Sequence, residues 1–341
     1  MIQAEANSWY LLTMNLRVGV VIATRNRPTK LGELFKSLID SSFIPTEVVV
    51  ISSGENISNL IATFSTKLKI KHSHIEGYGQ VRQKILGISL VSETIDWVLF
   101  LDDDLVIDKM ALSECANFIS ANAESVNVVG VGLDLEQTSK LKDSSLLKRS
   151  VAKVFFLNGK PGQILRSGHP VAYLGSPGVT KTQWLIGVSM WRRDMLNHYS
   201  AEFLDSKYSA FEDVIFSYKC LNFGDLMYLP QSKLFFQDDS VTEEGIEVFT
   251  SATYWRFYFV HTNREDFSFL AFFWSQIGRS IFFLFGDVTR GLAFPIKFRT
   301  VSATYLELIY QVLVKRDPIW SLNRHCRRES SKNSSVQPLR K

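Results

Sequence analysis

Short apolar runs that break off in polar residues, several of them followed by an amphipathic helical pattern, leave this chain few folds to choose from. The first run, Arg17 to Ala23 (RVGVVIA), is β-branched and stops at Thr24-Arg25-Asn26-Arg27-Pro28. Runs that are apolar on both faces belong to strands buried inside a parallel sheet. Leu31, Leu34, Phe35 and Leu38 then recur at helical spacing, and the helix must end before Pro45. Glu47 to Ile51 (EVVVI) reads as a second strand and Leu68 to Lys71 as a third. The loop Gly77-Tyr78-Gly79 follows, then a helix from about Gln80 to Leu90. A fourth strand, Ile95 to Leu101 (IDWVLFL), runs straight into Asp102-Asp103-Asp104. Helix Lys109 to Ala121 and strand Val126 to Val131 come after it. Strand alternating with helix implies right-handed crossovers and a mainly parallel, Rossmann-like α/β sheet flanked by helices. Ligands of such sheets bind at the carboxyl ends of the strands, where both polar clusters fall.

Between Leu133 and Lys181 the pattern gives way to charges, glycines and prolines, as expected of an insertion over the active-site face. Order resumes from Trp184 to Met195. A helix is expected from Phe211-Glu212-Asp213 to Gly224, and a strand, Leu226 to Leu229, to be ended by Pro230. Past Val241 the chain turns aromatic and helical. The division expected is an N-terminal extension (1–16), a catalytic domain (17–240, with halves 17–132 and 183–240), a helical segment (241–323) and a basic, Ser-rich disordered tail (324–341).

A chain of 341 residues, 46% hydrophobic and 21% charged, has enough apolar surface for a large core. Its net charge of +4 permits an anionic ligand or a membrane surface and gives no reason to expect nucleic acid. Cys115, Cys220 and Cys326 form no C-x-x-C pair and no disulfide framework, so a reducing compartment and buried thiols are expected. The first 16 residues lack a basic start and an apolar stretch, which points to a cytoplasmic enzyme. Phe267 to Phe285 is the most apolar stretch, but Arg279 and several polar residues interrupt it. It reads as a buried or interfacial helix rather than a span. The aromatics from Tyr254 onward, interleaved with Arg256, Arg264 and Arg279, suit either docking at a lipid headgroup layer or packing between helices.

Asp102-Asp103-Asp104 is the strongest local signal. On an extended chain Asp102 and Asp104 would project to one side and Asp103 to the other. Two carboxylates on one face repel unless a cation lies between them, and hard oxygen donors suit Mg²⁺ or Mn²⁺. A solvated acidic turn is the alternative. Glu212 and Asp213 open a helix, where the dipole favours acids, so capping alone would account for them.

In order along the chain, VVIATRNRP, EVVVISSG, GYGQVRQKILG and WVLFLDDDLVI resemble the nucleotide-binding half of the family 2 inverting glycosyltransferases of GT-A fold, with a rhamnosyltransferase-like cast. WLIGVSMWRRDML and FEDVIFSYKCLNFGDLMYLP resemble the acceptor half, so the likeness covers roughly residues 17–240. The resemblance implies that Asp104 binds a divalent metal, Mn²⁺ or Mg²⁺, and that Asp102 approaches the ribose or the metal. It places Thr24 and Arg25 along the nucleotide and Arg82 facing the donor. Trp184 and Gly187 would lie in the segment closing over the sugar, and Asp213, beside Glu212, would deprotonate the acceptor. Asn26, Ser53 and Asp103, on the same loops, complete the donor-contacting set. Two positions depart from the family pattern. The second strand ends Ser52-Ser53-Gly54 without the usual carboxylate. Downstream, Phe235-Phe236-Gln237-Asp238-Asp239 offers no histidine, so either Asp238 or Asp239 substitutes or the metal has fewer protein ligands.

The function implied is metal-dependent inverting transfer from a nucleotide-diphosphate-sugar to a hydroxyl of a glycan or lipid-linked acceptor, as in surface-polysaccharide assembly. A membrane surface and a second copy of the chain remain open as further partners. A nucleotidyltransferase is disfavoured because no glycine-rich phosphate loop follows the first strand. A non-catalytic sugar-nucleotide-binding assembly protein is the other alternative.

Overall fold

The computed structural model describes residues 16–77, 79–123, 125–136, 146–199, 210–238, 245–285 and 294–310. The chain divides into two compact units. One comprises Met1–Leu141, Tyr173–Ala201 and Phe216–Ser240; the other comprises Lys142–Ala172, Glu202–Ile215 and Val241–Lys341.

The first unit is built on a mixed sheet. Strands β1 (Val18–Arg25), β2 (Glu47–Ser53), β3 (Ile70–His74) and β4 (Trp97–Asp102) pair in parallel in the order β3-β2-β1-β4. β5 (Leu105–Ile107), β6 (Val128–Glu136), β7 (Thr180–Thr182), β8 (Ser189–Arg192) and β9 (Asp225–Phe236) extend it to β8-β6-β9-β5, with β7 also on β9. β8 enters antiparallel between β4 and β6, while β6 and β9 pair in parallel and run the same way as β1–β4, so the sheet is mainly parallel as expected, with β8, β5 and β7 antiparallel to their neighbours. Helices α1 (Pro28–Asp40), α2 (Ser58–Phe64), α3 (Gln80–Leu90) and α4 (Ala111–Asn122) supply the crossovers. α1 starts with Pro28, whose fixed φ suits a first helical position, and buries Leu31, Leu34, Phe35 and Leu38 against the strands. α3 approaches β1 at Gly87, where an added Cβ would stand 2.4 Å from Val21 Cγ1. Here the glycine is a packing requirement that outweighs its poor helix propensity.

At the start of β2, Glu47 is fully buried. It accepts from the Ser92 backbone N–H (2.6 Å) and hydroxyl (2.5 Å) and pairs with Lys71 (3.0 Å). Burial opposes its charge, but these three donors outweigh that and hold its pKa below the ordinary value. Cys115 and Cys220 are buried free thiols, and burial pushes both up to about 12, which makes them inert packing groups. Cys326 and the tail lie outside the described residues.

One expectation fails instructively. The strand that Pro230 was to end continues to Phe236. Its register against β6 jumps between Leu133↔Leu229 and Asp134↔Lys233, so Pro230, Gln231 and Ser232 form an irregularity in which a missing N–H costs no ladder bond.

The second unit is helical: α5 (Leu146–Val154), the first turn of α6 (Glu212–Cys220), α7 (Ile246–Thr262), α8 (Phe269–Phe285) and α9 (Phe294–Tyr310). α5 falls inside the stretch read as patternless. Phe249, Trp255, Phe257, Phe259 and Phe272 are buried there, around a buried guanidinium. Arg256 donates to Ser167 O (3.1 Å), Ser167 Oγ (3.2 Å) and Ser275 Oγ (2.7 Å). Among the described residues no helix is long and apolar enough to cross a membrane.

Candidate active site

The carboxyl ends of β1, β2 and β4 lie side by side, with Ala23 opposite Asp102 and Arg25 opposite Ser53. Three polar segments meet there because parallel strands of similar length end together.

The acidic triplet does not continue the strand. β4 ends at Asp102, and Asp103-Asp104 form a turn into β5, so strand alternation cannot orient Asp104. The exposure pattern nevertheless comes out as expected, through hydrogen bonding instead. Asp103 is 5% exposed and accepts from the Thr24 hydroxyl (2.7 Å) and from Arg27 Nη1 (3.1 Å). Asp102 and Asp104 stay half-buried. Arg27 reaches Asp104 Oδ2 (3.0 Å), and Gln80 Nε2 reaches Asp102 Oδ1 (2.5 Å). Partial burial works against the Arg27 charge, but Asp103 and then Asp104 raise its pKa above the usual guanidinium value. Arg27 thus tethers the turn to the β1 loop.

That loop is itself shaped by its neighbours. Asn26 adopts a positive φ of 52°, and its Oδ1 accepts the Glu55 backbone N–H (2.8 Å). Gly54, at φ 85°, leaves the space: a Cβ there would stand 2.0 Å from Asn26 Oδ1. Beneath, buried Gln83 donates to Thr24 O and Ile51 O, both at 2.8 Å, tying α3 to the ends of two strands. Ser52 shares hydrogen bonds with His72 (2.8 Å) and His74 (3.1 Å), while the buried Ser53 hydroxyl has no partner among the described residues. Arg25 is half-buried and Arg82 is exposed on α3.

The other side of the turn is held by the end of β9. Gln237 donates its backbone N–H to Asp104 O (2.9 Å) and its amide to Lys30 O, Leu105 O (both 2.9 Å) and Asp103 O (3.3 Å). Asp238 follows and pairs with Lys30 (2.5 Å). The other metal-ligand candidate, Asp239, lies outside the described residues. Buried Lys84 reaches Gly187 O (3.3 Å) and anchors the segment containing Trp184, whose ring meets Tyr173 edge-on at 5.1 Å. Glu212, buried, and Asp213, half-buried, occupy the first turn of α6 in the second unit. Asp213 Oδ1 accepts the Val214 N–H (2.8 Å).

Gln83, Lys84 and Gln237 were not singled out from sequence. A glutamine or lysine carries no motif, and only the buried carbonyls they serve give them meaning. Among the described residues no cluster of three or more His, Cys, Asp or Glu could cage a metal. Two half-exposed carboxylates do fit Mg²⁺ or Mn²⁺, which are commonly held by one or two carboxylates with substrate phosphates completing the shell.

An acidic turn at the carboxyl edge of a mainly parallel α/β sheet lies where ligands of such sheets bind. Residues 19–167 match the model of Glycosyl transferase family 2. It is similar to poly(ribitol-phosphate) beta-N-acetylglucosaminyltransferase TarS of Staphylococcus aureus, in strains Mu50 and MW2. The identity is 26% over 150 residues, 42% of this chain and 26% of the relative. The matched stretch therefore spans about a quarter of the curated relatives' length. Among solved structures, S. aureus TarS 1–349 in complex with UDP-GlcNAc aligns with TM-score 0.57 at 16% identity, covering 90% of this chain and 84% of that one. The structure titled S. aureus TarS aligns at 0.52 and 17%, covering 90% and 50%. These likenesses establish the shared GT-A fold.

Proposed function

We propose that the protein transfers a sugar from a nucleotide-diphosphate-sugar to a hydroxyl acceptor with inversion, in a metal-dependent reaction. The observation that carries this reading is the acidic turn, with Asp102 and Asp104 half-exposed at the sheet's carboxyl edge while Thr24, Arg27 and Gln237 fix its backbone and its third acid. Asp104, with Asp102, would hold Mn²⁺ or Mg²⁺, which when bound offsets charge on the leaving diphosphate. Thr24, Arg25 and Asn26 on the β1 loop and Ser53 at the end of β2 border the nucleotide, and Arg82 faces its phosphates. Asp213, at a helix start, takes the acceptor's proton. The acceptor oxygen then bonds to the anomeric carbon as the bond to the diphosphate oxygen breaks, and that oxygen keeps the electron pair. Trp184 and Gly187 close over the sugar.

Likeness to an N-acetylglucosaminyltransferase seen with UDP-GlcNAc makes UDP-GlcNAc the first donor to try, with deoxyhexose donors such as activated rhamnose next. The acceptor in this reading is a growing or lipid-linked surface polysaccharide, met at the cytoplasmic face of the membrane. The test is thermal shift against a panel of sugar nucleotides, with and without Mn²⁺, followed by assay of nucleoside diphosphate release. One donor should raise the melting temperature in a Mn²⁺-dependent way. If none does, the transferase reading falls.

A further inference from the structure

Two helices of the second unit, α8 and α9, bury polar residues among the aromatic ones and expose apolar residues along one side. α8 buries Ser275, Gln276 and Ser280, each at most 7% exposed, and turns Leu270 (84%), Trp274 (43%), Ile277 (48%) and Ile281 (38%) outward. Those four positions, spaced i, i+4, i+7, i+11, form one stripe along the helix. α9 repeats the inversion: Lys297 and Thr304 are buried, while Ile296, Leu306 and Tyr310 are exposed along one side with Arg299 among them. The α8 stripe continues onto the end of α5. Trp274 Nε1 donates to Val154 O (2.8 Å) and its ring stacks on Phe155 at 5.1 Å, beside exposed Val154 and Phe156. The interior carries polar atoms that no partner among the described residues satisfies, namely Arg256 Nε and both amide atoms of Gln276. A helix bathed in water has the opposite polarity, and exposed apolar surface of this extent marks a contact surface.

We propose that this outward face docks the protein on an anionic lipid bilayer surface. The proposal builds on the reading of a membrane-presented acceptor and assigns the residues that meet the membrane. Charge selects lipid over a second copy of the chain. α5 carries exposed Arg149 and Lys153 and no acid, and Arg299 stands within the α9 stripe. The sequence of residues 311–341, following α9, holds eight Lys and Arg against two acids, an excess larger than the net +4 of the whole chain. A two-fold interface through this face would bring like charges together, whereas basic clusters beside an apolar face match acidic headgroups. α8, 17 residues and about 26 Å long, has Arg279 on its inward side, and lies in the headgroup layer rather than crossing it.

The test is flotation of the full chain with vesicles of phosphatidylglycerol and phosphatidylcholine, compared with phosphatidylcholine alone. Binding should require the anionic lipid, weaken as salt rises, and shift Trp274 emission to the blue. The double variant I277E/I281E should lose binding by about tenfold or more. L306E, on a separate helix, should weaken it independently. Both should keep the wild-type melting temperature and the donor-induced thermal shift. Failure of the wild type to float while a donor still stabilises it would overturn docking and leave the transferase reading standing. So would variants that float as well as wild type. A wild type that self-associates through this face and ignores vesicles would equally overturn it.

Discussion

Replacing Thr24 by valine removes one hydroxyl and almost no volume, which makes it a clean probe of the acidic turn. Thr24 is 3% exposed, and its hydroxyl donates at 2.7 Å to an Asp103 carboxylate that is itself 5% exposed. A buried bond to a charged acceptor contributes about 1.5–3 kcal/mol, and the loss tends to the upper end when the acceptor stays buried. Asp103 would keep Arg27, but that side chain is 50% exposed and bonds through one nitrogen shared with Asp104, so it compensates little. For a unit of this size each kcal/mol moves the midpoint by about 2–4 °C, so a fall of roughly 3–12 °C is expected. Thr24→Ser, which keeps the hydroxyl, should recover most of it. Because Asp103 anchors the turn that presents Asp102 and Asp104, donor-dependent turnover should fall by about 10–100-fold, as when groups supporting metal ligands are removed. Calorimetry and a diphosphate-release assay read the two effects separately. Should Thr24→Val melt with wild type while Thr24→Ser does not, the methyl rather than the hydroxyl matters, and the proposed anchoring is wrong.

Three further outcomes are expected. Asp213→Asn should reduce turnover by about 10²–10⁴-fold and leave donor-induced stabilisation intact; retained turnover would remove Asp213 from the mechanism. Burial, then Arg256 and Arg279, hold His169 neutral and well below the ordinary histidine value, so the unfolded chain binds the extra proton. Stability should accordingly decline as pH falls below about 6.5, and H169Q should flatten that slope in pH-dependent denaturation. Gly87→Val should push α3 off β1 and cost about 1–3 kcal/mol, read as a lower denaturation midpoint; an unchanged midpoint would mean that the 2.4 Å approach relaxes freely.

The N-terminal half was legible because its strands are buried on both faces. RVGVVIA, EVVVI and WVLFL have few other uses, and α3 was placed at its observed bounds from Gln80 to Leu90. β3 was read two residues early, since Ile70–His74 is a half-exposed strand of mixed polarity. α2 went unread because its apolar stripe, Leu60, Ile61 and Phe64, is only partly buried and spans less than two turns. β5 and β7, three residues each, are too short for any periodicity. At the site, the acids and the β1 loop announced themselves, whereas the turn geometry did not. Nothing local in Asp102-Asp103-Asp104 says that the strand ends after the first of them. The second unit was the hardest to read, because α8 and α9 bury polar residues and expose apolar ones along one side, against the pattern on which such reading depends.

The irregularity at Pro230–Ser232 gives the edge bearing the acidic turn a length adjustment that lies apart from it. β9 passes through that kink before delivering Gln237 and Asp238 to the acidic turn. Deleting one residue within it would slide the strand's final stretch by one position against β6 and β5, reversing which side chains face inward. Gln237 would then present its neighbour's side to Asp103 and Leu105, and Lys30 would lose Asp238. A single-codon change in a segment that carries none of the proposed chemistry would thus shift the edge bearing the acidic turn, a route by which related chains can diverge without altering any acid.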